Sequence, residues 1–281
     1  MNRIIKDIFF YLTVLILIFF IGNFSYKIYA ERKDNYQNSA IRDDISKNIV
    51  LVEDKEYYVG GYDESKFPTD EIIEETNDTP KYNPVNEETA KFISANFKEL
   101  KDKNPETVAW LYVPGTAINY SVVQTIDNSY YLKHNFENEE NRAGWIFGDY
   151  RSDFTHLGRN TVIYGHNQLN ESMFGDLKKL IKTEDWFKNE EHKYIYLATP
   201  EASYVFEVVS VYVTGDNQYI KHNLSNDEEY QKFIDTIIKS NTIDGLSKDL
   251  DITDKILTLS TCHSGQRLSV QSKLIKTKLY W

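Results

Sequence analysis

Cysteine is almost absent from this sequence, because Cys262 is the only one among 281 residues. An intramolecular disulfide and a metal site built from several cysteines are therefore excluded. Proline and glycine are scarce, with 6 and 12 residues, and 41% of the residues are apolar, which excludes a collagen-like or low-complexity chain. Basic residues are outnumbered by acidic ones, 32 against 43, and the net charge of -11 argues against a nucleic-acid partner bound through a basic surface.

Long apolar runs are also absent, with one exception at residues 8–26. This run carries no charged residue, and as a helix it would extend about 28 Å, close to the hydrocarbon thickness of a bilayer. A cleaved signal peptide has a shorter apolar stretch and a small-residue cleavage site, which residues 28–30 match poorly. The pattern predicts an uncleaved membrane anchor, with a signal peptide or a buried helix as alternatives. Basic residues are nearly balanced on its two sides, so charge alone does not decide its orientation.

Residues 31–79 lack sustained apolar periodicity and carry several pairs of adjacent acidic residues. This composition predicts an extended, partly disordered stalk. An acidic docking segment for a basic cell-wall partner is the alternative.

The rest of the chain, residues 83–281, has the pattern of a mainly β domain. Asn86 as an N-cap, followed by apolar residues at helical spacing, predicts a helix over 86–103. Two more helices are predicted at 173–187 and 227–239. Strands are predicted at 108–113, 118–123, 144–147, 161–164, 193–198, 204–213, 256–262 and 267–279. Many strands without regular alternation with helices predict a closed or nearly closed β-barrel with flanking helices.

Cys262 ends one of the predicted strands and is followed by a polar turn. A lone cysteine is either a small buried hydrophobic residue or a reactive thiol. If the last two strands form a hairpin around the loop 263–266, Cys262 and Arg267 face each other with Cβ atoms about 4.5–5.5 Å apart. A guanidinium in that place would favour a thiolate or donate hydrogen bonds to an oxyanion.

A thiol nucleophile needs a base or an imidazolium partner, and His166 is the best candidate among six histidines. It directly follows a predicted strand, and Gly165 allows a sharp exit from that strand. His263 neighbours the cysteine, but adjacent strand residues point to opposite faces. The other four lie in polar surroundings typical of the surface. Spacing alone leaves His166 as either a base or a structural, hydrogen-bonded histidine.

Together these segments resemble the sortases, the membrane-anchored cysteine transpeptidases of Gram-positive bacteria. The resemblance rests on Thr-Leu-Ser-Thr-Cys at 258–262, the following Arg267, and Tyr-Gly-His-Asn at 164–167. The resemblance is strongest to class B, because residues 119–124, 128–132 and 148–151 and the predicted helix 227–239 also resemble that class. The resemblance covers about residues 85–281.

The resemblance implies a closed barrel of about eight strands and an anchor with its amino terminus inside the cell. Residues 1–7 would be cytoplasmic, 8–26 the transmembrane anchor, 27–82 the acidic extracellular stalk and 83–281 the catalytic barrel. The catalytic domain would then lie outside the cell membrane.

The resemblance also implies the reaction, its partners and the roles of the site residues. Cys262 would attack the carbonyl of Thr in the C-terminal sorting motif of a secreted protein, and the bond after that Thr would break. An amine of the peptidoglycan precursor would then resolve the thioacyl-enzyme. His166 would act as general acid and base, and Arg267 would hold the peptide and stabilise the oxyanion. No metal or cofactor is expected. The predicted substrate-binding residues are Ser260, Thr261 and Asn167.

One feature departs from the family pattern, since only residues 263–266 separate Cys262 from Arg267, fewer than is usual in sortases. This loop helps to shape the substrate groove. Three alternatives remain at this point: a papain-like surface protease, an inactive peptide-binding module, and a pilin-polymerising sortase whose acceptor is a lysine. A papain-type cysteine would begin a helix near the mature amino terminus, whereas Cys262 ends a strand near the carboxyl terminus.

Overall fold

A sheet that closes on itself is the central feature of the computed structural model, which describes residues 3–61, 83–183, 185–216, 220–222, 224–263 and 265–280. The order β10-β7-β6-β5-β4-β8-β9-β11 returns to β10, so eight strands form a closed barrel, and β2 adds to the outer edge of β11. This confirms the predicted barrel. The strands are β1 Ile49–Glu56, β2 Tyr58–Val59, β3 Val85–Ala95, β4 Thr107–Tyr112, β5 Asn119–Val123, β6 Phe147–Gly148, β7 Asn160–Tyr164, β8 Tyr194–Ala198, β9 Ala202–Thr214, β10 Ile256–His263 and β11 Gln266–Leu279.

Four helices lie outside the barrel among the described residues: α1 Arg3–Ile45, α2 Phe97–Lys103, α3 Lys179–Lys182 and α4 Asp227–Ser240. The prediction of α4 is confirmed. Asn226 caps it by accepting a hydrogen bond from the Glu228 amide, and its apolar face is buried. The predicted helix 173–187 is wrong in extent, because only a 3-10 turn at Gly175–Lys178, α3 and a second 3-10 turn at Trp186–Lys188 form there. Met173 and Asp185 have positive φ angles, which interrupt a helix at both ends.

The predicted helix 86–103 is wrong in its first half. Residues Val85–Ala95 form β3, which pairs with β1 through partners such as Val52 and Phe92. The helix starts only at Phe97, where the side chain of Asn96 accepts a hydrogen bond from the Glu99 amide. Helical spacing of apolar residues was thus produced by a strand with one buried face followed by a short helix.

The prediction of an extended, partly disordered stalk at residues 31–79 is wrong for residues 31–45, which are helical, and for residues 49–56, which form a strand paired with β3. Helix α1 continues without a break to Ile45, and β1 follows it. Asn38, Ile41 and Ile45 are buried against the barrel, which explains why this polar segment is ordered. Residues 62–82 lie outside the described residues.

The barrel core is aromatic where it supports the candidate site. Trp145 is fully buried, and its Nε1 donates to the Ser121 carbonyl over 3.0 Å. Tyr120 packs edge-on against it with ring centroids 5.5 Å apart. Close packing of this kind fixes the loop that precedes β6, on which part of the site rests.

Candidate active site

The hairpin formed by β10 and β11 brings Cys262 and Arg267 together. They are register partners, as predicted, and the guanidinium Nη1 donates to the cysteine Sγ. The turn is tighter than the predicted four-residue loop, because His263 pairs with Gln266. Gly265 takes a positive φ of 80°, which glycine adopts without strain. The cysteine is a free, exposed thiol with a cationic partner, and this is an arrangement suited to nucleophilic chemistry.

His166 reaches the same end of the barrel from the neighbouring strand. Strands β7 and β10 run parallel, with Tyr164 beside Ser260, and the Gly165 amide donates to the Ser260 carbonyl over 3.3 Å. His166 lies two residues after Tyr164, and Cys262 lies two residues after Ser260, the register partner of Tyr164. The parallel pairing therefore places the imidazole and the thiol on adjacent strand ends.

The imidazole of His166 is held by the loop before β6. Its Nε2 lies 2.8 Å from the Leu132 carbonyl, which only accepts, so Nε2 carries the hydrogen and Nδ1 is left for proton transfer. Gly144 leaves room for the imidazole. A Cβ at residue 144 would lie 2.9 Å from His166 Cδ2 and 2.4 Å from the Tyr131 carbonyl oxygen. No sequence pattern pointed to the Leu132 and Gly144 contacts.

The three residues predicted to bind substrate have different surroundings. Ser260 and Thr261 are each only 2% exposed, so their side chains belong to the strand packing. Asn167 is half-buried and forms an isolated bridge with Met173. Substrate contact by any of them stays a prediction.

A buried polar network behind the site was missed by the sequence reasoning. Asp149 is fully buried and accepts hydrogen bonds from the Tyr164 hydroxyl over 2.9 Å and from Asn128 over 2.8 Å. Arg151 binds both of its carboxylate oxygens, at 2.8 and 2.7 Å, and His222 Nε2 lies 3.1 Å from Oδ2. The only sequence signal was the resemblance of residues 128–132 and 148–151 to class B, and that resemblance assigned no function to Asn128, Asp149 or Arg151. Through Tyr164 the network fixes the end of β7, two residues before His166.

The network shifts the acidity of its members. Burial by itself raises the pKa of Asp149, but the hydrogen bonds from Arg151 and His222 outweigh it and hold this pKa far below its usual range. The same hydrogen bond to Asp149 raises the pKa of Arg151. The buried carboxylate of Asp149 is therefore held in its ionised form beside the charged Arg151 guanidinium.

We expect Asp149→Asn to destabilise the protein by about 3 kcal/mol, the low end for breaking a buried ion pair, since Arg151 is 41% exposed. Because the folded pKa of Asp149 is lowered, its contribution is complete above about pH 4, the unfolded value, and is lost as the pH falls further. Urea unfolding of the full-length chain in detergent micelles between acidic and neutral pH measures both effects. Asp235→Asn, on the exposed face of α4, is the control. A variant as stable as the native protein, with the same acid sensitivity, would contradict the assignment.

No metal centre is found within the described ranges, where no three His, Cys, Asp or Glu side chains are grouped to hold an ion. The chemistry available at the barrel end is that of a thiol, an imidazole and a guanidinium. Groups of these three kinds can act together in acyl transfer through a covalent intermediate.

Comparison with known proteins gives one consistent result. A family model described as a sortase domain matches residues 111–276. The chain is similar to sortase B of Staphylococcus aureus (strain NCTC 8325 / PS 47), with 34% identity over 192 residues that span 66% of this chain and 76% of the relative.

Solved structures agree with the sequence relatives. Sortase B from Bacillus anthracis in complex with AAEK1 is 32% identical, with a TM-score of 0.65 over 87% of this chain and 99% of that one. A Staphylococcus aureus sortase B–substrate complex is 34% identical, with a TM-score of 0.59 over 64% of this chain and 84% of that one. A sortase B complexed with triglycine has the same identity and TM-score over 64% and 85%.

Proposed function

Because this chain belongs to the sortase family, and within it to class B, we propose that it is a membrane-anchored cysteine transpeptidase that attaches secreted proteins to the cell wall. The observation that carries this proposal is the contact between Arg267 and the exposed Sγ of Cys262, beside the strand end that bears His166. A buried or unpaired thiol would have favoured an inert cysteine instead.

In the first half-reaction, Cys262 Sγ attacks the carbonyl carbon of the Thr residue in a sorting motif. The new S–C bond forms, the peptide C–N bond breaks, and Nδ1 of protonated His166 gives its proton to the leaving amine. Negative charge develops first on the carbonyl oxygen, within reach of the Arg267 guanidinium. A fixed cationic donor at that point stabilises the transition state more than the substrate.

In the second half-reaction an amine of the peptidoglycan precursor attacks the thioacyl carbon. The C–S bond breaks, a C–N bond forms, and His166 takes the proton of the incoming amine while Cys262 leaves as a thiolate. The complexes of related sortase B proteins with a substrate and with triglycine support a peptide donor and an amine-bearing acceptor. Peptide recognition by Asn167, Ser260 and Thr261 is part of the proposal.

The proposed location follows from α1. This helix is long and apolar enough to cross a bilayer, judged by length and composition. We assign residues 8–26 to the membrane, with residues 1–7 in the cytoplasm and the barrel outside the cell.

Product analysis tests the proposed function. The full-length chain in detergent micelles is incubated with a library of sorting peptides, with and without triglycine, and the products are identified by mass spectrometry. We expect a peptide–triglycine conjugate that grows with triglycine concentration at the expense of the hydrolysed product. Cleavage that triglycine never diverts would favour the surface-protease alternative, and the absence of any cleavage would favour a peptide-binding module. Selective use of lysine side chains as acceptors would favour a pilin-type role.

Arg267→Lys is expected to lower kcat/KM about 10- to 100-fold. Lysine keeps the positive charge but lacks the planar guanidinium, whose several N–H groups can donate to the sulfur and to an oxyanion at the same time. Arg267→Ala should cost about 10²- to 10³-fold. Arg159→Lys is the matched control, since Arg159 precedes the start of β7, at the opposite end of that strand from His166, and donates to the Leu224 carbonyl. Full activity of Arg267→Lys would reduce this residue to a structural member of β11.

A further inference from the structure

Helix α1 connects the proposed membrane anchor to the barrel without a hinge. It runs unbroken from Arg3 to Ile45, so the apolar run and the segment packed on the barrel belong to one rigid element. The packed segment is fixed by buried polar contacts: Asn38 Nδ2 donates to Asn141 Oδ1 over 3.2 Å and to the Gly144 carbonyl over 2.9 Å. The barrel therefore has a defined orientation relative to the anchor.

The contact lies at the end of the barrel that carries the candidate site. Gly144 is the residue against which His166 packs, and Leu132 accepts the imidazole hydrogen bond. On the other side of α1, Asn35 Oδ1 lies 3.4 Å from the hydroxyl of Ser172, in the segment that follows His166. Helix α1 thus contacts both segments that flank the His166 imidazole, one at Gly144 and the other at Ser172.

The height of this end above the bilayer follows from helix geometry. A cavity of about 680 Å³ separates α1 from the barrel, and its wall includes Tyr26, Tyr29 and Lys33 on one side and Leu132 and His166 on the other. Tyr26 is the last residue of the apolar run, and seven residues of helix from Tyr26 to Lys33 rise only about 10 Å. Tyrosines at such a position sit at headgroup level. The imidazole end of the barrel is therefore close to the bilayer surface.

The cavity carries cations suited to phosphate. Lys33, Lys133 and Arg142 line it, and none of the three has an ion pair within the described part of the chain. Two carboxylates, Asp34 and Glu140, also line it, and that of Asp34 accepts from the Arg142 backbone amide over 3.2 Å. The lining is thus net positive.

An exposed apolar side chain lies beside the same stretch of α1. Leu169 is 89% exposed, and with Ile28 and Arg32 it lines a second cavity on the other side of the helix. In water the apolar surface of this leucine would stay exposed. At headgroup depth the same surface would be buried in the bilayer.

We propose that the catalytic end of the barrel lies against the bilayer, where Lys33, Lys133 and Arg142 bind the phosphates of anionic phospholipids and Leu169 enters the headgroup layer. This inference rests on the proposed membrane anchor. It means that peptide and acceptor reach Cys262 from the side, along the membrane surface, and that lipid charge helps to set the orientation of the barrel.

Fluorescence quenching by headgroup-labelled lipid tests this orientation. The full-length chain carrying Cys262→Ala and a single new cysteine is labelled with a fluorophore and inserted into phosphatidylcholine vesicles containing phosphatidylglycerol. Leu169→Cys reports on the catalytic end. Lys248→Cys reports on the opposite end, because the neighbouring Asp249 carbonyl binds Lys273, the partner of Ile256 at the start of β10.

We expect strong quenching at position 169 and little at 248, with the difference reduced in vesicles of phosphatidylcholine alone. Charge reversal to Glu at Lys33, Lys133 and Arg142 should reduce quenching at 169, whereas the same reversal at the exposed Lys98, Lys101 and Lys239 should not. If the reversed chain does not insert, neutral Gln substitutions at the same three positions replace it. Equal quenching at both ends, or no response to either set of cavity substitutions, would overturn the proposal. Failure of the native chain to float with vesicles would instead overturn the anchor.

Discussion

Cys262→Ala is expected to abolish both peptide cleavage and transfer to an amine, with a loss of about four to six orders of magnitude in kcat. No other thiol exists in the chain, so no second thiol can take over the covalent step. Removing one member of a catalytic unit that acts together costs nearly the whole rate enhancement. The measurement is the rate of fluorogenic peptide cleavage by the full-length chain, with and without amine.

The fold of this variant should be unchanged. The Cys262 side chain is exposed, so its truncation leaves no internal cavity, and we expect the free energy of unfolding to change by less than about 0.5 kcal/mol. Cys262→Ser is the matched variant, because its hydroxyl can still accept from Arg267 but is a far weaker nucleophile than a thiolate. Peptide should still bind both variants. Substantial residual cleavage by Cys262→Ala would refute the nucleophile assignment.

His166→Ala should lower kcat/KM by about 10²- to 10⁴-fold, the usual range for losing a positioned general acid and base. Both half-reactions need the imidazole, so acylation and its resolution by an amine should both slow when they are measured separately by stopped flow. His166→Gln keeps a donor for the Leu132 carbonyl without a group that titrates near neutrality. It should preserve the loop and still be slow.

The control for this prediction is His156→Ala, which removes an exposed histidine away from the hairpin. Its kinetics should match those of the native chain. If His166→Gln retained near-normal rates in both half-reactions, proton transfer would have to be assigned to another group.

Local patterns were sufficient to predict the elements that bear the candidate site. The alternation in β10 and β11, interrupted by a short polar turn, predicted a hairpin that pairs Cys262 with Arg267, and the pairing follows from register alone. The strand before His166 and the helix α4 have equally clear local signals. Their sequence periods agree with the tertiary structure, so the predictions are confirmed.

The errors arose where distant pairing decides the local structure. Residues 85–95 have a pattern that fits a helix in isolation, but pairing with β1 makes them a strand. The polar segment 31–45 has too few apolar residues to predict packing, yet Ile41, Ile45 and the amide of Asn38 are enough to dock it. Because β1 and the end of α1 pack on the barrel, the folded unit extends before the predicted boundary at residue 83.

The features missed at the site are contacts between segments far apart in the chain. Asp149 meets Tyr164, Arg151 and His222 only after the barrel has closed, and a lone aspartate in sequence is most simply a surface residue. The Leu132 carbonyl that orients His166 has no side-chain signal at all. Such backbone contacts become visible only in three dimensions.

Intact-protein mass spectrometry of the acyl-enzyme tests the catalytic role of Cys262 most directly. The full-length chain in micelles is mixed with a cleavable sorting peptide in the absence of amine, quenched in acid and weighed, and the modified residue is located by fragmentation. We predict an added mass equal to the peptide portion that ends in Thr, attached to Cys262 and discharged when triglycine is added before the quench. A peptide that is cleaved with no adduct on Cys262, or an adduct that triglycine never discharges, would contradict the proposed transpeptidation.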